Sequence, residues 1–225
     1  MNKKLMLLAA GTLIALAFAA LPALASAGEY EAHCVGAHEC VGEITGGALS
    51  LVSDNGDTIT CSAVGGTTRF TTTTTTGTDN LHLSGCREHV TFFTFQCNSA
   101  GAAAGTISVS NLTYHLISLE HGGTTPGIKF TNISVTYECT GFSKKTMTGS
   151  LVGHLESASC NTETKTHSVT FEQGATTGSQ KYKQVTTTGT ETDLIANNDA
   201  GGSYTTMAII CTWTIHWDHD VKITC

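Results

Sequence analysis

Two clusters of side chains in this chain have the types and spacing to do chemistry. Near the start, His33, Cys34, His38 and Cys40 fall in one short stretch. Zinc takes four nitrogen or sulfur ligands in a tetrahedron, and this set supplies them. Two cysteines so close together also fit a small disulfide loop, which would consume both thiolates; in an exported chain the bridge is the favoured reading. Near the end stand His216, Asp218, His219 and Asp220. On an extended strand His216, Asp218 and Asp220 share one face, where a divalent metal could sit. The same residue types are ordinary at a solvated hairpin tip, and that is the reading adopted.

Signatures of a built nucleophile are missing from the sequence. Ser150 directly follows Gly149, so Gly149-Ser150-Leu151-Val152-Gly153 is not the Gly-x-Ser-x-Gly elbow. There is no His-Glu-x-x-His and no glycine loop leading into a helix to hold phosphate. A pair of carboxylates for sugar hydrolysis is assembled in space and leaves no local spacing. Trp213 and Trp217 are the large stacking surfaces for a sugar, and both fall on the face expected to be buried. No catalytic residue, cofactor or metal ligand is therefore assigned.

The elements that position these residues follow an export signal. Lys3 and Lys4 precede an uncharged apolar run over 5–20, then Pro22 and the small-x-small site Ala25-Ser26-Ala27. Cleavage after Ala27 leaves a mature chain over 28–225, one domain in size and released from the membrane. The full chain carries a net charge of −7, and loss of Lys3 and Lys4 makes it more acidic. Such a chain is repelled by nucleic acid and by anionic membranes. All 9 cysteines lie in the mature part: Cys34, Cys40, Cys61, Cys86, Cys97, Cys139, Cys160, Cys211 and Cys225. Outside the cytoplasm they read as disulfides, and the odd number leaves one thiol free or joined to a second chain as a covalent dimer.

The mature chain reads as short alternating strands. One inward face is Ile59, Cys61 and Ala63; another is Ile133, Val135, Tyr137 and Cys139; a third is Met147, Gly149, Leu151, Gly153 and Leu155. Ile107 and Val109 have the opposite parity to Leu112, Tyr114 and Leu116, which predicts a bulge near Ser110-Asn111. Asp54-Asn55-Gly56-Asp57 predicts a type I′ hairpin turn rather than a calcium loop, whose further ligands are missing. The threonine run 71–76 predicts an exposed strand edge or loop. Asn111-Leu112-Thr113 and Asn132-Ile133-Ser134 match the N-glycosylation pattern without carrying weight. Met207, Ile209, Cys211, Trp213, Ile215 and Trp217 alternate strictly, and Val221, Ile223 and Cys225 keep the parity. A turn centred on Asp218 would set Cys211 opposite Cys225 for a bridge, with Cys34–Cys40 as the other local pair. Cys61, Cys86, Cys97, Cys139 and Cys160 then hold two bridges and one leftover. The expected fold is all-β: an antiparallel sandwich or barrel-like single domain stapled by disulfides.

Cys97-Asn98-Ser99-Ala100-Gly101 followed by Gly105-Thr106-Ile107 resembles a "CxSxGxxxGxI" segment. Further on come Leu112-x-x-x-Leu116, Tyr137-Glu138-Cys139 and the stretch from Thr148 to Gly153. In that order, over roughly 47–225, the chain resembles small secreted proteins of unknown function from soil actinobacteria, departing from them by extra cysteines near both ends. The resemblance implies an exported β-rich protein and supplies no catalytic residue. The expected function is a non-catalytic extracellular or envelope module for binding or structure. The alternatives are a secreted hydrolase tested first at His216, Asp218 and Asp220, and a secreted metal-binding protein using the two terminal clusters.

Overall fold

The computed structural model describes residues 30–90, 92–119, 125–141, 144–156, 161–183, 194–198 and 205–224. The export signal over 1–27, and Cys160 and Cys225, lie outside the described residues. Among the described residues every element is a strand. They are β1 (Glu31–Cys34), β2 (Glu39–Gly46), β3 (Leu49–Ser53), β4 (Thr58–Cys61), β5 (Ala63–Thr71), β6 (Thr76–Ser84) and β7 (Arg87–Val90). After them come β8 (Phe93–Asn98), β9 (Ile107–Ser118), β10 (Pro126–Cys139), β11 (Lys144–Leu155), β12 (Glu163–Phe171), β13 (Leu194–Asn198) and β14 (Thr205–Thr224).

The registers reduce these strands to eight long staves. Leu49 faces Cys61 in the β3–β4 ladder and Gly46 faces Val64 in the β2–β5 ladder, so β2 runs on into β3 and β4 into β5 without a change of pairing. By the same test β6 runs on into β7, since Ala63 faces Ser84 and Thr60 faces Arg87. β8 and β9 form one stave interrupted by the 99–106 loop. The ladders then close: β14 pairs β2, β2 pairs β5, and the path continues through β6, β9, β10, β11 and β12 back to β14. At the other end it runs from β14 through β3, β4, β7, β8, β10, β11 and β13 to β14 again. This is a closed, up-and-down antiparallel barrel, an architecture that leaves few open edges. β1 caps one end of β14, with Glu31 opposite Thr224.

Alternation explains why the barrel closes this way round. Ile44, Leu51, Phe70, Ile107, Phe130, Val135, Leu151, Phe171, Trp213 and Ile215 all point inward and are buried. Burial is worth ~2–3 kcal/mol for each large apolar side chain. Threonine, serine and charged residues face outward, as along Glu39, Glu43 and Thr45 of β2 or Thr67 and Arg69 of β5. That polarity is the inverse of a lipid-spanning barrel. No helix of the described residues is long and apolar enough to cross a membrane.

An eight-stave barrel is just wide enough for side chains to fill, and aromatic rings fill this one. Trp213 meets Phe171 at 4.5 Å with the rings tilted and Phe130 edge-on at 6.0 Å, while Phe70 meets Trp217 edge-on at 5.2 Å. Glycines directly opposite make room for the rings. Gly42 faces Trp217 and Gly46 faces Trp213. A Cβ on Gly42 would lie 2.8 Å from the Trp217 ring, and one on Gly77 would lie 2.2 Å from the Tyr114 hydroxyl facing it.

The bulge expected near Ser110-Asn111 is present: the β6–β9 register shifts there, and Asn111 has φ 54°. Asn132 does the same in β10, with φ 55°. Asp54–Asp57 is a hairpin turn, but Gly56 alone has positive φ, at 90°, so the loop is wider than type I′. Asn55 Oδ1 accepts the Asp57 N–H at 3.0 Å to close it. The 71–76 threonines link β5 to β6, and Thr74 pairs with Ala32 of β1.

The hairpin expected at Asp218 does not form. β14 is one strand from Thr205 to Thr224, zipped to β12 on one side and to β3, β2 and β1 on the other. The polar segment makes a bulge instead of a turn. Thr164 faces Val221 and Thr166 faces His216, so a stretch of β14 stands opposite Lys165 alone. The Lys165 ammonium donates to the Asp218 carbonyl at 3.1 Å. Without the turn, Cys211 cannot face Cys225.

Candidate functional site

The cysteines settle the first cluster. Disulfides join Cys34 to Cys40, Cys61 to Cys86 and Cys97 to Cys139. The Cys34–Cys40 bridge takes both thiolates that a zinc ion would need, although His219 approaches the two sulfurs. His33 turns away from them to Thr73 Oγ1, at 3.2 Å, and His38 is exposed. Cys97 and Cys139 are direct cross-strand partners, and Glu88 lies beside them. Cys211, expected in a bridge, is a free thiol instead: it is buried opposite Phe171 in mid-strand, and burial pushes its pKa up to about 12.

The second cluster is dispersed by the bulge. His216, Asp218 and His219 are exposed, and Asp220 is half-buried. Asp218 Oδ1 accepts the Val41 N–H at 3.0 Å, covering a backbone donor where β2 parts from β14. His219 Nδ1 lies 3.1 Å from the same oxygen. Burial opposes the charge on Asp218, but the Val41 N–H and His219 outweigh it and hold the carboxyl below its ordinary pKa. An ionised carboxylate engaged in this way is a poor general acid or base near neutral pH.

A broad concavity lies on the outer wall. It is an open trough of about 860 Å³ across β14, β2, β5 and β6. Its middle row comes straight from the registers: His216 faces Glu43, Glu43 faces Thr67, and Thr67 faces Asn80. Gly65 and Gly66 leave the floor bare, and His82 leans over Gly65, where an added Cβ would lie 2.5 Å from Nε2. Of the residues singled out in the sequence, His216, Trp217 and Asp218 line this trough. Glu43, Asn80 and His82 belong to it as well, yet nothing local marked them, because the row exists only across four strands.

Inside the barrel the space is nearly all taken. A cavity among Phe70, Tyr114, His167, Ile215 and Trp217 measures about 30 Å³, room for about one water. Asp79, His167 and Glu88 are ionisable side chains buried in the barrel. Asp79 faces Thr68 across the β5–β6 ladder, and neither carboxylate oxygen has a well-formed hydrogen bond. Burial pushes its pKa up to about 7, against a weaker pull from the Thr68 hydroxyl. The Thr68 hydroxyl lies 3.5 Å from that of Tyr114. His167 Nδ1 accepts the Trp217 indole N–H at 3.0 Å, and burial holds its pKa down near 4. Glu88 is buried and ion-paired with Lys145. The sequence did carry a signal for Asp79, since Gly77, Asp79, Leu81 and Leu83 alternate as one inward face.

Among the described residues the barrel interior leaves room for about one water, and the trough on its outer wall is open. No protein-family model, no curated protein and no solved structure matches the chain, so its residues alone speak for what it does.

Proposed function

We propose that this chain is an exported, non-catalytic module that binds its ligand on the outer wall of the barrel, in the trough bordered by Glu43, Asn80, His82 and His216. The carrying observation is the packed interior. Among the described residues the interior cavity holds about 30 Å³ and the trough about 860 Å³, which favours a ligand on the outer wall. Export is supported by the pattern from Lys3 to Ala27 and by disulfides, which are typical of oxidising compartments. The trough is open, and its apolar floor is bordered by the hydrogen-bonding groups of Glu43, Asn80, His82, His216 and Asp218, which suits an extended ligand with both apolar and hydrogen-bonding faces.

The test uses the mature chain, 28–225, against soluble oligosaccharides, peptides and divalent ions by calorimetry. Thr67→Trp fills the trough from an exposed position and should leave the fold intact by near-ultraviolet circular dichroism. Binding of one ligand class that Thr67→Trp abolishes supports the reading. Binding that survives the filling, or sustained turnover of glycosides, esters or peptides by the wild type, overturns it.

A further inference from the structure

We propose that the two chemistry-bearing clusters of the sequence meet at one end of the barrel as a reduction-gated zinc site, with Cys34, Cys40 and His219 as ligands and Asp218 positioning the imidazole. In the oxidised protein the Cys34–Cys40 bridge closes the site. The two sulfurs and a ring nitrogen of His219 lie within 4.8 Å of one another. Zinc holds sulfur at about 2.3 Å and nitrogen at about 2.0–2.1 Å, so tetrahedral ligand atoms stand roughly 3.5–4 Å apart. Once the bridge is cleaved, side-chain adjustment brings the three donors onto one ion, and water takes the fourth position. The second group of this kind among the described residues, Glu88 beside Cys97 and Cys139, is buried throughout and offers no imidazole.

Hydrogen bonds outside the disulfide hold His219 over it. Cys34 faces Val221 in the β1–β14 ladder, and the Val35 N–H donates to the Asp220 carbonyl at 2.9 Å. On the other side the Val41 N–H donates to Asp218 Oδ1 at 3.0 Å. Positions 220 and 218 are thus tied to the residues that follow Cys34 and Cys40, and His219 stands between the two ties. His219 Nδ1 lies 3.1 Å from the same Asp218 oxygen. A carboxylate on one ring nitrogen fixes the tautomer and leaves the other, Nε2, for a metal, as in carboxylate–histidine–zinc triads. The His219 side chain is 45% exposed, so an ion reaches it from solvent.

The gate is thiol–disulfide exchange with a reduced dithiol. One thiolate of the dithiol attacks a bridge sulfur, forming a mixed disulfide and releasing the other cysteine as a thiolate. The second thiolate of the dithiol then displaces the first cysteine. The dithiol becomes a disulfide, its two electrons pass to the bridge, and its two protons go to solvent when zinc takes both cysteine thiolates. The opening is local. β1 has 4 residues and lies outside the closed barrel, with one ladder to β14 and a single bridge from Ala32 to Thr74. Its fraying uncovers Cys34 while the barrel stays shut. Cys61–Cys86 and Cys97–Cys139 join the staves themselves.

The experiment reduces the mature protein mildly with a phosphine, removes the reductant without air, and titrates zinc against a chromophoric chelator, with cobalt(II) as the spectroscopic probe. Peptide mapping after alkylation should show Cys34 and Cys40 opened before the other bridges, and circular dichroism should show the fold kept. The reduced protein should then take one zinc per chain and give a thiolate-to-cobalt charge-transfer band. Unreduced protein should show neither. The variant Cys34→Ser/Cys40→Ser matches the reduced protein in lacking the bridge, and it should lose both signals. Asp218→Asn should weaken zinc by about 10–100-fold, and His219→Ala by more than that. The proposal is overturned if the reduced wild type unfolds, opens another bridge first or takes no zinc. It is overturned equally if stoichiometric zinc binding survives in Cys34→Ser/Cys40→Ser or is unchanged in His219→Ala.

Discussion

Removing one buried carboxyl should change the pH dependence of stability in a specified direction. Asp79 has an ordinary pKa of 3.8 and is pushed up to about 7 in the folded barrel. Between those values the folded state holds a proton that the unfolded chain has released. Stability from this group is therefore full below pH 4 and is lost as pH rises towards 7. A displacement of this size is worth roughly 4 kcal/mol. His167 works in the opposite sense. Its pKa falls from 6.5 to about 4, so its contribution is full above pH 6.5 and is lost as pH falls towards 4. Its scale is roughly 3 kcal/mol. Over pH 4–6.5 the two slopes nearly cancel in the wild type. Asp79→Asn removes one of them. Urea unfolding of wild type and variant, disulfides intact, at steps from pH 4 to pH 7.5 measures the difference. The variant should gain on the wild type by roughly 3–4 kcal/mol from the acid to the neutral end. The reasoning fails if the difference between the two proteins stays constant with pH. That result would mean that Asp79 titrates as an exposed carboxyl, reached by water or a counter-ion.

Three further outcomes follow from the packing. Gly42→Ala would put a Cβ 2.7 Å from Ile215 Cγ2 and 2.8 Å from both Thr68 and Trp217, so it should cost about 1–3 kcal/mol in urea unfolding. Replacing Cys97 and Cys139 by serine opens a loop spanning 42 residues, for which chain entropy gives a loss of about 4 kcal/mol; the fall in the urea midpoint checks it. Lys145→Met leaves the buried Glu88 carboxyl without its partner, which should cost about 3–5 kcal/mol, and the double variant with Glu88→Gln should recover most of the loss in the same assay.

Much of the barrel was legible in the sequence because strand parity is a local property. Alternation along Met207 to Trp217 and along Ile133 to Cys139 named the inward faces, and those residues are buried. The change of parity at Ser110-Asn111 named a bulge, because one extra residue must reverse every side chain beyond it. Cys34 and Cys40 needed only their closeness in sequence to be considered together.

What failed was long-range. Asp218 has the composition of a turn, yet it lies within a continuous strand, because β12, β2 and β1 supply ladder partners on both sides and absorb the polar segment as a bulge. A turn forms where backbone groups lack partners, and the partners of Trp217 and Val221 come from Gly42 and Cys34, far away in sequence. The same cause hid the pairing of Cys61 with Cys86 and the trough row His216–Glu43–Thr67–Asn80. Composition and alternation determine by themselves that this chain folds as sheet with a given face inward. Which strands become neighbours, and so which thiols, carboxyls and imidazoles meet, is decided only when the last stave closes on the first.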